Sequence, residues 1–205
     1  MERRTSPASD GDGRIPPVSR VFVITGPSGV GKGTLIRELC SRIPDLELSI
    51  SATTRGPRTG EENGVDYHFL TPDDFDARRE AGDFLEWANY SGNQYGTLRS
   101  EVERRTDRGA PVVLEIEVQG ARQVRDTMPE AVRIFIEPPS PEVLRERLIG
   151  RGTDDPDVIE MRLAEAEKEL DAKGDFMHRV TNDDIERAAS ELAGIVLHAL
   201  DRDAD

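Results

Sequence analysis

Seven consecutive residues near the start of the chain have the types and spacing needed to bind a phosphate group. They match the pattern G-x-x-x-x-G-K and are Gly26, Pro27, Ser28, Gly29, Val30, Gly31 and Lys32. Glycines allow successive backbone N–H groups to turn inward around an anion, and Lys32 adds a mobile positive charge for the β and γ oxygens. The pattern therefore predicts a loop that binds the phosphates of a nucleoside triphosphate.

The position after Lys32 departs from the usual form of this pattern. It is Gly33, where Ser or Thr commonly holds Mg²⁺, and Thr34 follows one place later. Either Thr34 reaches the metal, directly or through water, or Mg²⁺ keeps most of its hydration shell and is held chiefly by the nucleotide's phosphates. We favour the second arrangement.

The elements that must position this loop follow from the hydrophobic pattern. Short, β-branched apolar runs at 21–25, 112–118 and 132–136 predict buried strands, and each run is followed by a helical stretch. This alternation is typical of a parallel sheet with crossover helices. We therefore predict a doubly wound α/β fold, with the loop between the first strand and the first helix.

Two segments interrupt this alternation. Between 51 and 99 the pattern changes to short strands, turns and clustered aromatic residues, which indicates an inserted subdomain. At 139–173 a densely charged pair of helices, the first beginning at Ser140-Pro141, is typical of a solvated lid. The predicted core then consists of 19–50, 100–138 and 174–205, with a C-terminal helix that packs on the sheet.

Composition limits the partners and the compartment. The 205 residues include 41 Asp and Glu against 27 Lys and Arg, and the formal net charge of −14 argues against nucleic acids or anionic membranes as main partners. The single Cys40 excludes an internal disulfide and fits a reducing cytoplasm. Only three of the basic residues are lysines, which either a GC-rich genome or a salty cytoplasm would produce.

Residues 1–18 lack the apolar stretch of a secretion signal and are predicted to be a disordered tail.

Several blocks of residues together resemble one family, the guanylate kinases. They are GPSGVGKGT from Gly26, SATTRGPRTGEENGVDYHF from Ser51, FLEWANYSGNQYGT from Phe84, LEIEVQGA from Leu114, PPSPEVLRERLIGRGT from Pro138 and VTND from Val180. The resemblance covers about 21–200 and implies a P-loop kinase core with a GMP-binding insertion and a helical lid. It also implies reversible, Mg²⁺-dependent transfer of the γ-phosphate of ATP to GMP, and to dGMP, giving ADP and GDP.

The resemblance assigns residues to the phosphate of GMP. Arg55, Arg58 and Tyr67 match the family's phosphate clamp, and Tyr95 matches a further phosphate contact. A planar guanidinium binds phosphate through two N–H donors, and a phenol donates a hydrogen bond without adding charge. These residue types therefore suit the phosphate of a nucleoside monophosphate.

Four further residues match family positions around guanine. Glu86 and Glu117 match carboxylates, and Ser51 and Thr97 match hydroxyls. Guanine offers N1–H and N2 donors, whereas adenine would leave such buried groups unpaired at a cost of about 1–3 kcal/mol each. These four residues therefore predict that the site binds GMP in preference to AMP. Family members often have Ser at position 97 and Asp at position 117, so the longer Glu117 could reach the base differently.

The remaining assignments concern ATP and the transferred phosphoryl group. Glu115 is predicted to contact Mg²⁺ indirectly, through water, or else to be a sheet-edge carboxylate bonded to nearby backbone. Arg147, Arg151 and Arg162 match arginines that close over the phosphoryl group as a lid in the family. Asn182 matches a residue near the adenine of ATP, or else forms a turn before Asp183.

The predicted mechanism depends on charge and position. The phosphate of GMP has a second pKa near 6 and is mostly dianionic at neutral pH, so no general base is required. Catalysis then consists of aligning two polyanions and neutralising the transferred group. The predicted catalytic residues are Lys32, Arg55, Arg147, Arg151 and Arg162, and the predicted ATP-binding residues are 26–34 with Asn182.

The residues leave two other functions open. One is a non-catalytic guanylate-kinase-like module that binds phosphopeptides, and the other is a P-loop kinase for another small acceptor. The intact loop and lid arginines argue against the first, and Ser51, Glu86 and Glu117 together favour guanine over other acceptors. A monomer and a homodimer are both compatible with the sequence.

Overall fold

A computed structural model describes residues 20–90, 92–150 and 156–201, which form nine strands and seven α-helices. The strands are β1 (Val21–Thr25), β2 (Glu47–Leu48), β3 (Ala52–Thr53), β4 (His68–Phe69), β5 (Phe84–Tyr90), β6 (Asn93–Leu98), β7 (Val112–Glu115), β8 (Val132–Glu137) and β9 (His178–Thr181). The helices are α1 (Lys32–Arg42), α2 (Pro72–Ala81), α3 (Arg99–Thr106), α4 (Val118–Thr127), α5 (Pro141–Ile149), α6 (Pro156–Asp171) and α7 (Ile185–Asp201). The tail predicted at 1–18 lies outside the described residues.

Five strands form a parallel sheet in the order β2-β7-β1-β8-β9. Side chains alternate along the central strand β1, so Phe22 and Ile24 enter one apolar cluster while Val21 and Val23 enter another. Helices α1 and α7 cover the first face, and α4 covers the second. Burial on both faces explains the unbroken apolar runs in the sequence, and the predicted doubly wound α/β fold is confirmed.

A second sheet, in the order β4-β3-β6-β5, uses only strands that fall between residues 52 and 98. It has a small apolar core of its own, in which Phe75 of α2 stacks on Phe84 of β5 with ring centroids 4.4 Å apart. Helix α2 begins at Thr71, whose hydroxyl accepts a hydrogen bond from the backbone N–H of Asp74 at 3.1 Å. These elements all lie within the segment predicted as an insertion.

The helical pair α5 and α6 lies in the segment predicted as a lid. Helix α5 begins as the sequence indicates, because the Ser140 hydroxyl accepts a hydrogen bond from Val143 N–H at 3.4 Å. Helix α6 is less solvated than its charge pattern predicted, since Ala166 and Glu169 are only 1% and 8% exposed. Residues three apart share a face of a helix, so one face of α6 is turned inward.

The C-terminal helix α7 completes the core as predicted. Its residues Ala188, Leu192 and Val196 are fully buried against the cluster that covers β1 and α1. Within the described ranges, no helix is long and apolar enough to cross a bilayer.

Candidate active site

The predicted phosphate-binding loop joins the carboxyl end of β1 to α1. Ile24 of β1 is in register with Glu115, the last residue of the neighbouring strand β7. Helix α1 follows β1 onto one face of the sheet, and α4 follows β7 onto the other. The connections after these two adjacent strands thus go to opposite faces of the sheet. In doubly wound sheets, ligands bind in the crevice that forms at such a point.

Gly31 and Gly26 illustrate why the loop favours glycine. Gly31, immediately before α1, has φ +97°, and a Cβ there would lie 2.6 Å from Asn182 Nδ2. Gly26 has φ +146°, and a Cβ there would lie 2.2 Å from the carbonyl oxygen of Ile136. The Lys32 ammonium folds over this loop and donates to the carbonyl oxygen of Gly26 at 2.6 Å.

A cavity of about 320 Å³ lies beside the loop, a volume in the range of small-molecule sites. Nine residues predicted from the sequence line it: Lys32, Ser51, Arg55, Arg58, Tyr67, Glu86, Tyr95, Glu115 and Glu117. The parallel sheet, the second sheet and the start of α4 all contribute to its wall. Leu48, Ser49, Asp66 and Tyr90 also line the cavity and were not predicted.

Cationic side chains at one side of the cavity are held in place by a carboxylate. Both terminal nitrogens of Arg55 donate to Glu61, at 2.9 and 2.8 Å, and the backbone N–H of Arg58 donates to the same carboxylate at 2.7 Å. The Arg55 guanidinium also lies over the Tyr67 ring, 5.2 Å from its centroid. Hydrogen bonding with Glu61 raises the pKa of Arg55, and the same pair lowers the pKa of Glu61. Arg55 is therefore oriented before any anion arrives.

Glu86 also lines the cavity and is almost completely buried. Burial raises its pKa to about 7, although hydrogen bonds from Thr97 act in the other direction. The Thr97 hydroxyl donates to Glu86 Oε1 at 2.7 Å. Thr97 itself does not line the cavity, so it orients the Glu86 carboxylate from outside the cavity. Gly120 of α4 makes room for the other oxygen, because a Cβ at Gly120 would lie 2.2 Å from Glu86 Oε2.

Two more carboxylates follow β7. Glu115 ends the strand, where burial raises its pKa and the charge of Lys32 opposes that rise. Glu117 is the residue immediately before α4, and its Oε2 is buried. Gly33 lies beside Glu115, since a Cβ at Gly33 would be 3.7 Å from each carboxylate oxygen. Thr34 is exposed, and its hydroxyl accepts a hydrogen bond from Arg37 at 3.3 Å.

Two residues predicted on the ATP side support the backbone of the loop. The Asn182 amide donates to the carbonyl oxygen of Val30 at 2.7 Å. Arg147 donates to the same carbonyl at 3.2 Å and to the carbonyl of Asn182 at 2.8 Å. Arg162 is half-buried on α6, while Arg151 lies outside the described residues. Neither Arg147 nor Arg162 lines the cavity in this conformation.

Two further residues near the site were not predicted. Glu61 lies within the block that begins at Ser51, but nothing in its spacing singled it out as the partner of Arg55. Glu169 reaches the loop from α6, and its Oε2 accepts the backbone N–H of Ser28 at 3.3 Å. A glutamate in a densely charged helix looks like a solvated residue, so only the fold reveals that it is buried.

The lining of the cavity combines two kinds of group. Arg55, Arg58 and Lys32 supply positive charge, whereas Glu86 and Glu117 supply hydrogen-bond acceptors. Such a site can hold one molecule that carries both an anionic group and N–H donors. The loop next to it can hold a second anion.

Comparison with known proteins identifies the same family as the sequence motifs. A family model described as guanylate kinase matches residues 18–199. A guanylate kinase of Synechococcus sp. (strain CC9902) is 52% identical over 173 residues, which are 84% of this chain and 92% of the relative. One of Streptomyces coelicolor is 47% identical over 187 residues, 90% of this chain and 95% of the relative.

A solved structure agrees with these sequence matches. The crystal structure of guanylate kinase from Anaplasma phagocytophilum superposes with a TM-score of 0.72 at 32% sequence identity. The alignment covers 88% of this chain and 86% of that one. Sequence, fold and the composition of the cavity agree, and the chain belongs to the guanylate kinase family.

Proposed function

We propose that the cavity binds GMP and the loop beside it binds ATP, so that the γ-phosphate passes directly from one nucleotide to the other. The reaction is that of the family, in which ATP and GMP are converted to ADP and GDP. The observation that carries the residue assignment is the cavity itself. It places the carboxylates Glu86 and Glu117 and the cations Arg55 and Arg58 on its walls, and it extends to Lys32.

Glu86 and Glu117 recognise guanine by accepting its N1–H and N2–H donors. Adenine presents a lone pair at N1 and would leave at least one buried carboxylate without a donor. Thr97 fixes one oxygen of Glu86 and leaves the other available to the base. Ser51 supplies a hydroxyl on the cavity wall.

Arg55, Arg58, Tyr67 and Tyr95 bind the phosphate of GMP. The pairing with Glu61 holds the Arg55 guanidinium in one orientation, so little side-chain entropy is lost when phosphate binds. The phenol groups donate hydrogen bonds without adding further charge. The phosphate is thereby presented toward Lys32 and the loop.

Transfer requires alignment and neutralisation of charge. The GMP phosphate attacks in line as a dianion, and its low second pKa makes a general base unnecessary. Lys32 and Arg55 neutralise the equatorial oxygens, and Arg147, Arg151 and Arg162 join them when the lid closes over the bound nucleotides. Closure also excludes water, which would otherwise hydrolyse ATP.

The residues beside the loop fit a magnesium ion. The Glu115 carboxylate lies next to Gly33, and oxygen ligands from one carboxylate, water and substrate phosphates are those that Mg²⁺ prefers. Glu115 would hold the ion through water, and the exposed Thr34 is bonded to Arg37. When bound, the ion neutralises negative charge on the β- and γ-phosphates.

The proposal extends to partners and compartment. ATP and GMP or dGMP are small-molecule partners, and the single Cys40 suits a reducing cytoplasm. Either a monomer or a homodimer can operate in this way, because the described residues that line the cavity belong to one chain.

A coupled assay tests the substrate assignment. Purified protein with ATP and Mg²⁺ is given GMP, dGMP, AMP, CMP and UMP in turn, and ADP release is followed. We expect kcat/KM for GMP to exceed that for AMP by at least about a hundredfold, because two buried acceptors would be mispaired. Equal rates with GMP and another monophosphate would contradict guanine recognition, and no turnover with any of them would indicate a non-catalytic module.

A further inference from the structure

Among the α6 carboxylates whose burial the structure describes, Glu169 is the one whose side chain is turned toward the active site. It is 8% exposed, whereas Glu165 and Glu167 on the same helix are exposed. Its Oε2 accepts the backbone N–H of Ser28, at 3.3 Å, in the phosphate-binding loop. The two residues are 141 positions apart in the chain, so only the packing of α6 brings them together.

The same carboxyl group lies near Glu117, which lines the proposed GMP cavity. Burial is the largest cause that raises the pKa of Glu169, and the neighbouring Glu117 carboxyl group is the next, so the two groups lie near each other. Two carboxyl groups can share a hydrogen bond only when one of them keeps its proton. No N–H or hydroxyl of the described residues donates to the buried Glu117 Oε2. Burial and the nearby charge of Glu117 raise the pKa of Glu169 to about 8, against the opposing effect of Lys32. With a proton on Glu169, the same carboxyl group can accept from Ser28 and donate to Glu117.

Glu117 needs such a partner because its surroundings are acidic. Its charge raises the pKa of both Glu86 and Glu115, which shows that the three carboxylates are close enough to repel. A neutral acid that donates a hydrogen bond holds Glu117 in place without adding a charge. The position of Glu169 is itself fixed, because Ala166 and Ala172 on either side of it are buried in the two core clusters.

We propose that Glu169 is a positioning residue, which holds the Glu117 carboxylate at the guanine end of the cavity and ties the loop at Ser28 to helix α6. It touches neither nucleotide and acts through these two neighbours. In this way one side chain aligns the lid helix, the ATP loop and the GMP site. The inference rests on the proposed role of Glu117 in binding guanine.

Three variants test this role by steady-state kinetics. Glutamine can accept from Ser28 and donate to Glu117, so Glu169→Gln should keep the KM for GMP within about twofold of the wild type. Glu169→Ala loses both contacts and should raise that KM about tenfold while kcat changes less than about threefold. Glu167→Ala, an exposed carboxylate on the same helix, is the matched control. A wild-type KM in Glu169→Ala, or a Gln variant as impaired as the Ala variant, would overturn the proposal.

A double-mutant cycle separates this inference from the role of Glu117. If Glu169 acts through Glu117, the variant with both residues replaced by alanine should have the same KM for GMP as Glu117→Ala alone. Additive effects of the two substitutions would overturn the inference. An unchanged KM in Glu117→Ala would instead contradict the assignment of Glu117 to guanine, so the two failures are distinguishable.

Hydrogen exchange at the Ser28 amide gives a readout that does not depend on activity. In ¹⁵N-labelled protein without nucleotides, Glu169→Ala should increase the exchange rate of this amide about tenfold, and Glu169→Gln should leave it unchanged. Unchanged exchange in the alanine variant would overturn the contact with the loop. If the alanine variant does not fold, Glu169→Asp replaces it, because its side chain is one methylene shorter and cannot bridge both partners.

Discussion

The phosphate-binding loop and the proposed guanine end of the cavity, which is the part formed by Glu86 and Glu117, are built in different ways. The loop is one short segment that we propose binds the anion through backbone N–H groups and Lys32, and its conformation depends on glycines such as Gly31. The guanine end is assembled from side chains on separate elements, with Glu86 on β5, Thr97 on β6 and Gly120 on α4. The loop thus depends on local backbone geometry, while the guanine end depends on packing between distant segments.

This difference separates catalytic rate from substrate choice. A change in the loop acts on the phosphoryl group, which every nucleotide carries, so it should lower kcat for any acceptor. A change in the packing around Glu86 acts on the base alone, so it should raise KM for GMP and leave ATP unaffected. The two regions can therefore be disturbed independently.

The largest effect is expected in the loop itself. Lys32→Ala should lower kcat at least about a hundredfold, because a charge that neutralises the transferred phosphoryl group is lost. The fold should survive, since within the described residues the hydrogen bonds of this side chain go to loop carbonyls. Turnover with GMP and the circular dichroism spectrum provide the measurement, and Lys173→Ala is the matched control at an exposed lysine. Near-normal turnover in Lys32→Ala would contradict the role of the loop.

The guanine end can be disturbed by adding a single methyl group. Gly120→Ala would place a Cβ 2.2 Å from Glu86 Oε2, so the carboxylate must move away from its bonded position. We expect KM for GMP to rise at least about tenfold, in line with about 1–3 kcal/mol for a mispaired buried group. Gly194→Ala in α7, where a Cβ meets nothing within 4 Å, controls for the general effect of alanine in a helix. An equal rise in KM for ATP would show that the change is not confined to the guanine end.

The pH dependence of GMP binding should report the ionisation of Glu86. Its pKa of about 7 in the free protein means that a proton must leave before the carboxylate can accept hydrogen bonds from guanine. Binding then lowers this pKa, so KM for GMP should rise about tenfold as pH falls from 8 to 6. In Glu86→Gln, KM for GMP should change less steeply over this pH range, because only the phosphate of GMP then titrates. A wild-type profile no steeper than that of Glu86→Gln would contradict this interpretation.

The smallest effect is expected where a charged pair orients the phosphate clamp. Glu61→Gln weakens the two-point contact with Arg55 but leaves the arginine in place, so KM for GMP should rise about threefold. The free energy of unfolding should hardly change, because partly exposed ion pairs contribute little to stability. Glu191→Gln removes the exposed pair with Arg187 on α7 and is the control. A loss of stability without a change in KM would assign Glu61 a purely structural role.

Much of the fold was predictable because its determinants are local or periodic. The apolar runs of β1, β7 and β8 indicated a parallel sheet buried on both faces, and the cap at Ser140 marked the start of α5. Nine predicted residues do line one cavity. Their individual roles came from a family resemblance rather than from spacing, since an isolated arginine or glutamate carries no pattern of its own.

The sequence by itself determined the phosphate-binding loop, because seven consecutive residues specify a backbone conformation with few alternatives. It also determined the order of strands and helices, through the period of the buried side chains. Only the tertiary structure decided that Thr97 supports Glu86, that Gly120 makes room for that carboxylate and that Glu169 is buried against the loop. These contacts join residues distant in the chain, and such pairings arise only when separate elements pack together.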